Sequence, residues 1–274
     1  IFMILIAFTN YDKERQAGLK LFDWVGFDNF KFFFRSGTGL RVTINTIYFN
    51  LLNLVTSQGL AIIIAVFLSE MRGKIFKKVT QSVIFFPYFI SWIIVGAFVY
   101  NIFNYERGTL NNLLEMLGQA PINLYSIPWA WVIIICLFNS WKWVGYNSVV
   151  YIAAIAGVDT SCYEAADLDG ANMFQRVRHI TLPSIRPTII TIVLLNIGRI
   201  LRGDFQMFYQ IVGNNGQLFN ATDVIDTFVF RSLINNGDIG MTAAASFYQS
   251  FLCFIIIISV NRIVKKVNKD YALF

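Results

Sequence analysis

Long apolar runs separated by short polar stretches form the main pattern of this chain. A membrane-spanning helix needs roughly 20 mainly apolar residues, and most of the runs reach that length. The run over residues 1–8 is too short alone and fits the tail of such a helix, so we expect a first span whose start is missing. The predicted spans are residues 1–8, 43–69, 81–103, 127–157, 188–212 and 241–264.

The polar connection 158–187 has the pattern of two short helices. Ser161 stands three residues before Glu164, and Asn172 stands three residues before Gln175. Each pair fits an N-cap with its capping-box partner, in which each side chain bonds to the other residue's backbone N–H.

Two residues of the same connection predict where these helices end. Gly170 lies where the first helix would stop, and Pro183 lies where the second would stop. Glycine is favoured just after a helix because it adopts the left-handed backbone conformation, and proline cannot continue a helix interior. The connection is therefore expected to be a helix–turn–helix between two spans.

Composition supports a membrane protein and argues against several other classes. Hydrophobic residues make up 56% and charged residues 14%, and the mean hydropathy is +0.58, whereas soluble domains carry about 25% charged residues. The net charge of +6 comes from clusters between apolar runs, where a membrane protein keeps its basic residues. We therefore expect no nucleic-acid partner.

The residues that enzymes and metal sites need are scarce. His179 is the only histidine, which excludes multi-histidine metal sites and histidine-based triads. Cys136, Cys162 and Cys253 have no metal-ligand spacing, and the sequence contains no phosphate-binding G-x-x-x-x-G-K-[ST] loop. We predict no catalytic residue, no metal site and no cofactor on this chain.

The distribution of lysine and arginine predicts the orientation in the membrane. If connection 158–187 is cytoplasmic, the inner connections and the tail hold 11 basic residues, and the outer loops after the third and fifth spans hold 2. The loop 10–41, which carries six, runs against this assignment. Basic residues are enriched on the cytoplasmic side, so we predict a multi-pass protein of the cytoplasmic (inner) membrane with a cytoplasmic C-terminus.

A few charged and polar residues fall inside predicted spans. A charge near the bilayer centre costs a few kcal/mol, so it faces a polar cavity or a partner. One interpretation is an internal pair, such as Asp204 with Arg202; the other is a substrate path. The excess of cations tilts the interpretation toward an anionic or hydroxyl-rich cargo. The substrate-path candidates are Lys142, Tyr146, Asn147, Arg199, Arg202 and Asp204.

The connection also carries the spaced pattern E-A-A, G, I-x-L-P. Its residues are Glu164, Ala165, Ala166, Gly170, Ile180, Leu182 and Pro183. This pattern resembles the cytoplasmic signature of the type I ABC importer permeases, which are the membrane components of binding-protein-dependent transport systems. Further phrases resemble the sugar-permease branch, and its oligosaccharide and polysaccharide permeases most of all. These are residues 25–30, 86–87, 108–111, 223–227 and 271–274.

The resemblance implies an all-α, polytopic fold with six transmembrane helices and one permease domain over residues 1–274. It implies that connection 158–187 is a coupling helix that docks on an ATPase, with Glu164 bonding a basic residue there. Implied partners are a second homologous permease in a heterodimer, two ATPase subunits that carry ATP and Mg, and an extracytoplasmic binding protein. The implied cargo is an oligosaccharide, acidic or neutral.

Two other classes stay open from the residues alone. An ion- or proton-coupled secondary transporter or channel could use the charged residues of the spans as a relay. The two short helices around Gly170 also fit a DNA-binding helix–turn–helix, although flanking membrane spans disfavour it. The E-A-A pattern discriminates, because a secondary transporter has no need of a dock for a soluble motor.

Overall fold

The computed structural model describes residues 2–11, 23–35, 37–71 and 73–267. Helices form nearly all of this part of the chain, so the predicted all-α class is confirmed. In chain order the helices are α1 Phe2–Ala7, α2 Asp28–Arg35, α3 Thr38–Asn53, α4 Gly59–Glu70, α5 Lys74–Phe85, α6 Trp92–Phe103, α7 Thr109–Met116, α8 Pro128–Ala156, α9 Thr160–Leu168, α10 Met173–Arg176, α11 Leu182–Ile197, α12 Phe205–Val212, α13 Phe219–Thr222, α14 Ile225–Asn236 and α15 Ile239–Val267.

Short non-α elements complete the chain. Strands β1 (Thr9–Asn10) and β2 (Asp23–Trp24) pair antiparallel, with Thr9 opposite Trp24. Among the described residues, two π turns and two 3-10 turns lie within or beside the helices: Leu54–Gln58 and Val177–Thr181 are π, and Phe86–Phe89 and Leu124–Ser126 are 3-10. The last four residues and the basic Lys269 of the predicted tail lie outside the described residues.

Three continuous helices in the described residues are long and apolar enough to cross a membrane: Thr38–Glu70, Met173–Ile197 and Ile239–Lys266. Two pairs of helices meet the same criterion only when taken together, which allows up to five spans. These pairs are Lys74–Phe89 with Trp92–Phe103, and Pro128–Ala156 with Thr160–Leu168. The first predicted segment, 1–8, contains the six-residue helix α1.

Two of the predicted spans are interrupted. The run 81–103 breaks at Ile90 and Ser91, directly after the 3-10 turn that contains Pro87. The run 188–212 does not form one helix, because α11 ends at Ile197 and α12 begins at Phe205. Hydrophobicity predicts how far an apolar segment extends, but it does not register a local break in the helix. The predicted single domain over 1–274 stays a prediction.

The chain divides into two compact units. Unit 1 contains residues 1–51, 92–135 and 198–258, and unit 2 contains residues 52–91, 136–197 and 259–274. Each unit is therefore built from three separate stretches of chain.

Each unit has its own hydrophobic core. In unit 1, Val42, Leu201, Ile225 and Ala245 form a buried cluster, and a second cluster joins α1 to Ala243 and Ala244 of α15. In unit 2, the cluster contains Ala61, Ala65, Val66, Val144, Tyr151, Ile155 and Ile185. Small residues allow close helix packing there, since a Cβ on Gly145 would lie 2.2 Å from the carbonyl oxygen of Ile84.

Candidate functional site

The connection 158–187 begins with α9, which Asp159 caps. The Asp159 carboxylate accepts a hydrogen bond from the backbone N–H of Ser161 at 2.9 Å. This bond is the main reason why the pKa of Asp159 is lowered from its ordinary value. The predicted capping box of Ser161 with Glu164 is therefore wrong. Aspartate is as good an N-cap as serine, and the helix begins at Thr160.

Gly170 ends α9 as predicted. Its φ of +74° lies in the left-handed region that favours glycine. The N–H of Gly170 donates to the carbonyl of Asp167 at 3.1 Å, and the N–H of Ala171 donates to the carbonyl of Ala166 at 2.9 Å. These two bonds form a Schellman motif, which satisfies the last carbonyls of the helix.

The second helix begins as predicted but does not end at Pro183. The N–H of Gln175 donates to Asn172 Oδ1 at 3.0 Å, and the N–H of Asn172 donates to Gln175 Oε1 at 2.7 Å, so that capping box is confirmed. The prediction of a stop at Pro183 is wrong, because one helix runs from Met173 to Ile197. Pro183 follows the π turn Val177–Thr181, where the regular hydrogen-bond ladder is already altered, so its missing N–H is tolerated.

One arginine ties three parts of unit 2 together. The Arg176 guanidinium donates through Nη2 to Glu70 Oε2 of α4 at 2.8 Å and through Nη1 to Asp167 Oδ1 of α9 in a close ion pair. The hydroxyls of Tyr163 and the buried Thr181 are also hydrogen-bonded, at 3.0 Å. The two helices of the connection are thus fixed to each other and to the end of α4. We call this arrangement the Arg176 brace.

Most residues of the E-A-A pattern lie at the surface of the chain. The exposed ones are Glu164, Ala165, Gly170, Leu182 and Pro183, and the half-buried ones are Ala166 and Ile180. Sequence reasoning missed two bulky apolar residues on either side of Gly170. Leu168 is 90% exposed and Phe174 is 85% exposed. They could have been identified from the sequence, because both are large apolar side chains in an otherwise polar connection.

Lys142, a substrate-path candidate, is buried in unit 2 and only 6% exposed. Its ammonium donates to the carbonyl oxygens of Tyr88 at 3.0 Å and Pro87 at 3.5 Å, and in a short contact to that of Ile90. These carbonyls lie at the interruption of the helix after α5, and a cation at a helix C-terminus stabilises the backbone oxygens there. Each buried carbonyl left unpaired would cost about 1–3 kcal/mol. The ammonium thus binds backbone, so we leave Lys142 out of the proposed cargo contacts.

Tyr146 and Asn147, on the next turn of α8, have different surroundings. The ring of Tyr146 stacks on that of Tyr88 with 4.5 Å between centroids, and it is 42% exposed. Asn147 Nδ2 donates to Ser57 Oγ of the π turn Leu54–Gln58 at 2.9 Å. Tyr146 therefore offers a partly open aromatic face, whereas Asn147 holds two elements of unit 2 together.

The other three candidates lie in unit 1, on the stretch between α11 and α12 that we call the 198–204 turn. Asp204 caps α12 by accepting from the N–H of Met207 at 3.1 Å, and its second oxygen accepts from Trp92 Nε1 at 2.9 Å. The suggested internal pair of Asp204 with Arg202 is not formed. Arg199 and Arg202 are both exposed. The turn therefore displays two guanidinium groups while its carboxylate serves the fold.

The candidates thus fall into two sets, with Lys142, Tyr146 and Asn147 in unit 2 and Arg199, Arg202 and Asp204 in unit 1. Within the part of the chain that the structure describes, no group of three His, Cys, Asp or Glu residues could hold a metal ion. Chemically, the exposed arginines suit carboxylate or hydroxyl groups. The exposed apolar side chains of the connection suit a protein surface.

Comparison with known proteins gives a consistent result. The family described as "Binding-protein-dependent transport system inner membrane component" matches residues 59–269. Protein LplB of Bacillus subtilis (strain 168) is 33% identical over 267 residues, which cover 97% of this chain and 83% of LplB. The polygalacturonan/rhamnogalacturonan transport system permease protein YteP of the same organism is 30% identical over 268 residues, which cover 97% of this chain and 82% of YteP.

Two solved structures share the fold. One is a bacterial ABC transporter involved in the import of the acidic polysaccharide alginate, with a TM-score of 0.86 and 27% identity over 97% of this chain and 88% of that one. The other is a bacterial alginate ABC transporter in complex with an alginate pentasaccharide-bound periplasmic protein. Its TM-score is 0.85, with 27% identity over 98% of this chain and 88% of that one.

Proposed function

Because this chain belongs to the family of binding-protein-dependent transport system inner membrane components, we propose that it forms the translocation path for a carbohydrate in an ATP-driven importer. The chain is a multi-pass membrane protein and a transport subunit rather than an enzyme. Family membership argues against an ion- or proton-coupled secondary transporter or channel. It equally disfavours a DNA-binding helix–turn–helix.

The proposed cargo is an acidic oligosaccharide, and the two exposed arginines of the 198–204 turn carry this proposal. The turn falls inside the predicted span 188–212, where an arginine facing lipid would cost at least about 2.5–3.5 kcal/mol. Irregular backbone at membrane depth is tolerated where it is buried in protein or lines a polar cavity. Guanidinium groups bind carboxylates through two parallel hydrogen bonds. The solved importer with the same fold takes an acidic polysaccharide.

The connection 158–187 is the proposed dock for a partner ATPase. Leu168 and Phe174, nearly fully exposed on either side of Gly170, would enter an apolar recess of that partner. Since Asp159 caps α9, Glu164 is not needed as a capping residue, and its exposed carboxylate can bind a basic group of the ATPase. This placement makes the connection and the C-terminus cytoplasmic.

The remaining partners follow from the same proposal. Two ATPase subunits would bind ATP and Mg, so this chain needs no cofactor of its own. A second, homologous permease would complete the path, as a heterodimer. An extracytoplasmic binding protein would deliver the cargo to loops 105–126 and 213–240. When ATP closes the two ATPases, the docked connections move with them, and the Arg176 brace passes that movement to α4.

The test of the cargo proposal is transport by the whole complex reconstituted in liposomes. The probes are a uronic-acid tetrasaccharide and its carboxyl-reduced, neutral counterpart, each at a concentration that saturates the binding protein. Arg199→Ala and Arg202→Ala should lower the uptake rate of the acidic probe several-fold more than that of the neutral probe. The carboxylate of the acidic probe can form a bidentate ion pair with a guanidinium, whereas the hydroxyl of the reduced probe offers one uncharged oxygen, so removing the arginine costs the acidic probe more.

Lys142→Met is the matched control, because it removes a buried cation that binds backbone carbonyls instead of cargo. It should lower uptake of both probes alike, through loss of stability. If the two arginine variants also reduce both rates equally, or leave both unchanged, the acidic-cargo proposal is wrong.

A further inference from the structure

The 198–204 turn is held by side chains that come from distant parts of unit 1. Asn50 Nδ2 of α3 donates to the carbonyl oxygens of Ile200 at 2.7 Å and Arg202 at 3.1 Å. Gln249 Nε2 of α15 donates to the carbonyl oxygen of Leu201 in a short hydrogen bond. Three successive carbonyls of the turn, which a helix would have paired internally, are therefore paired by two amide side chains.

Asp226 of α14 also holds the turn, but as a hydrogen-bond acceptor instead of a donor. Its Oδ2 accepts from the backbone N–H of Gly203 at 2.7 Å and from Gln249 Nε2 at 3.1 Å. A Cβ on residue 203 would lie 3.0 Å from the same oxygen, so any larger residue would press on the Asp226 carboxylate. Burial raises the pKa of Asp226 above its ordinary value, and the Gly203 and Gln249 hydrogen bonds and the charge of Arg202 offset only part of that rise. We call Asn50, Asp226 and Gln249 the turn clamp.

The side chains of the turn divide between core and surface. Ile200 and Leu201 are 9% and 0% exposed and pack in the unit 1 core, whereas Arg199 and Arg202 are exposed. Because the clamp fixes the backbone and the core fixes the two apolar side chains, the positions from which the two arginines extend are fixed as well. A binding group that is already in place loses less entropy when its ligand arrives.

We propose that Asn50, Asp226 and Gln249 are positioning residues that hold the 198–204 turn as a rigid ledge, from which Arg199 and Arg202 meet the carboxylates of the cargo. This inference rests on the proposed function, and it assigns a role to three residues outside the cargo contacts. The clamp residues act through the backbone of the turn and do not touch the cargo themselves.

The experiment compares Asp226→Ala with Asp226→Asn in the reconstituted complex. Asparagine keeps an oxygen that can accept from Gly203, and alanine does not. Two quantities are measured: amide hydrogen exchange of the peptide covering the 198–204 turn, and the ratio of uptake rates for the acidic tetrasaccharide and its carboxyl-reduced counterpart. Asp226→Ala should speed exchange of the turn and lower the acidic-to-neutral ratio several-fold, and Asp226→Asn should stay near the parent in both.

Ser246→Ala is the control, since Ser246 lies in the same unit, on α15 with Gln249, and donates through Oγ to the carbonyl oxygen of Thr242 at 2.9 Å, away from the turn. It should change neither quantity. If Asp226→Ala does not assemble, Asn50→Ala removes the bonds to Ile200 and Arg202 and should have the same two effects.

The outcomes separate the two proposals. Faster exchange with an unchanged ratio would overturn the positioning role while leaving the acidic cargo intact, provided that Arg199→Ala and Arg202→Ala lower the ratio. Unchanged exchange would show that Asp226 does not hold the turn, which also overturns the inference. If the arginine variants themselves leave the ratio unchanged, the acidic-cargo proposal fails and the ledge has no cargo to present.

Discussion

Gly170 offers a direct test of how connection 158–187 works, because different substitutions there change the backbone strain and the side-chain volume separately. Its φ is +74°, and a Cβ built on it meets no atom within 4 Å. A side chain at this position is therefore strained by the backbone conformation, whereas its Cβ meets no atom of this chain. A loss of function on substitution must come from backbone strain or from contact with a partner.

The strain can be compared with the bonds that oppose it. A Cβ in the left-handed region costs roughly 1–2 kcal/mol, and each of the two Schellman bonds contributes about 0.5–1.5 kcal/mol. Alanine at position 170 therefore cancels most of the gain from those bonds. The observed turn would lose roughly 5–30-fold in population relative to other conformations. Asparagine tolerates the left-handed region, whereas a β-branched residue there is a severe outlier.

The assay is cargo-stimulated ATP hydrolysis by the reconstituted complex, with membrane insertion checked by yield and size-exclusion chromatography. Gly170→Ala should lower the stimulated rate several-fold, Gly170→Val should abolish it, and Gly170→Asn should stay close to the parent. All three should insert normally. If asparagine were as damaging as alanine, bulk at the partner surface and not backbone conformation would be the cause. Equal activity in all variants would refute both accounts.

The remaining predictions concern the same connection. Phe174→Asp should lower cargo-stimulated ATP hydrolysis and weaken the association with the ATPase measured by pull-down, because a charge replaces an exposed apolar ring. Phe174→Leu should retain both. Equal behaviour of the two variants would contradict docking. Arg176→Gln should lower the number of cargo molecules imported per ATP hydrolysed, because the links to Glu70 and Asp167 are lost. The neighbouring exposed Arg178→Gln is its control, and an equal effect at both positions would rule out the brace.

Much of the architecture could be predicted from local patterns. The apolar run 127–157 coincides with α8 (Pro128–Ala156), and the spacing of Asn172 and Gln175 placed the second capping box correctly. These features depend on residues close together in the sequence, where hydrophobicity and capping preferences act directly. At the start of α9 the prediction took Ser161 as the cap, and the structure uses Asp159, two residues earlier.

The interruptions could not be predicted in the same way. The 198–204 turn depends on Asn50, Asp226 and Gln249, which lie far from it in the sequence. Lys142 likewise acts on carbonyls some fifty residues earlier in the chain. Its charge identified it as unusual inside a predicted span, but no residue near it in the chain distinguishes a cargo partner from a backbone partner.

Because one helix runs continuously from Met173 to Ile197, the spacing of the E-A-A pattern sets the direction in which its side chains point around the helix axis. The helix has 25 residues, and each residue of an α-helix advances it by about 1.5 Å and rotates it by about 100°. With no loop at Pro183 to absorb a change in length, inserting one residue after Phe174 would swing that side chain about a quarter-turn around the axis relative to Ile185 in the core. The number of residues between the dock and the core therefore sets the angle between them. Conservative substitutions that keep Phe174 apolar and leave Arg176 and the core residues in place should be tolerated in this stretch, whereas single-residue insertions should not.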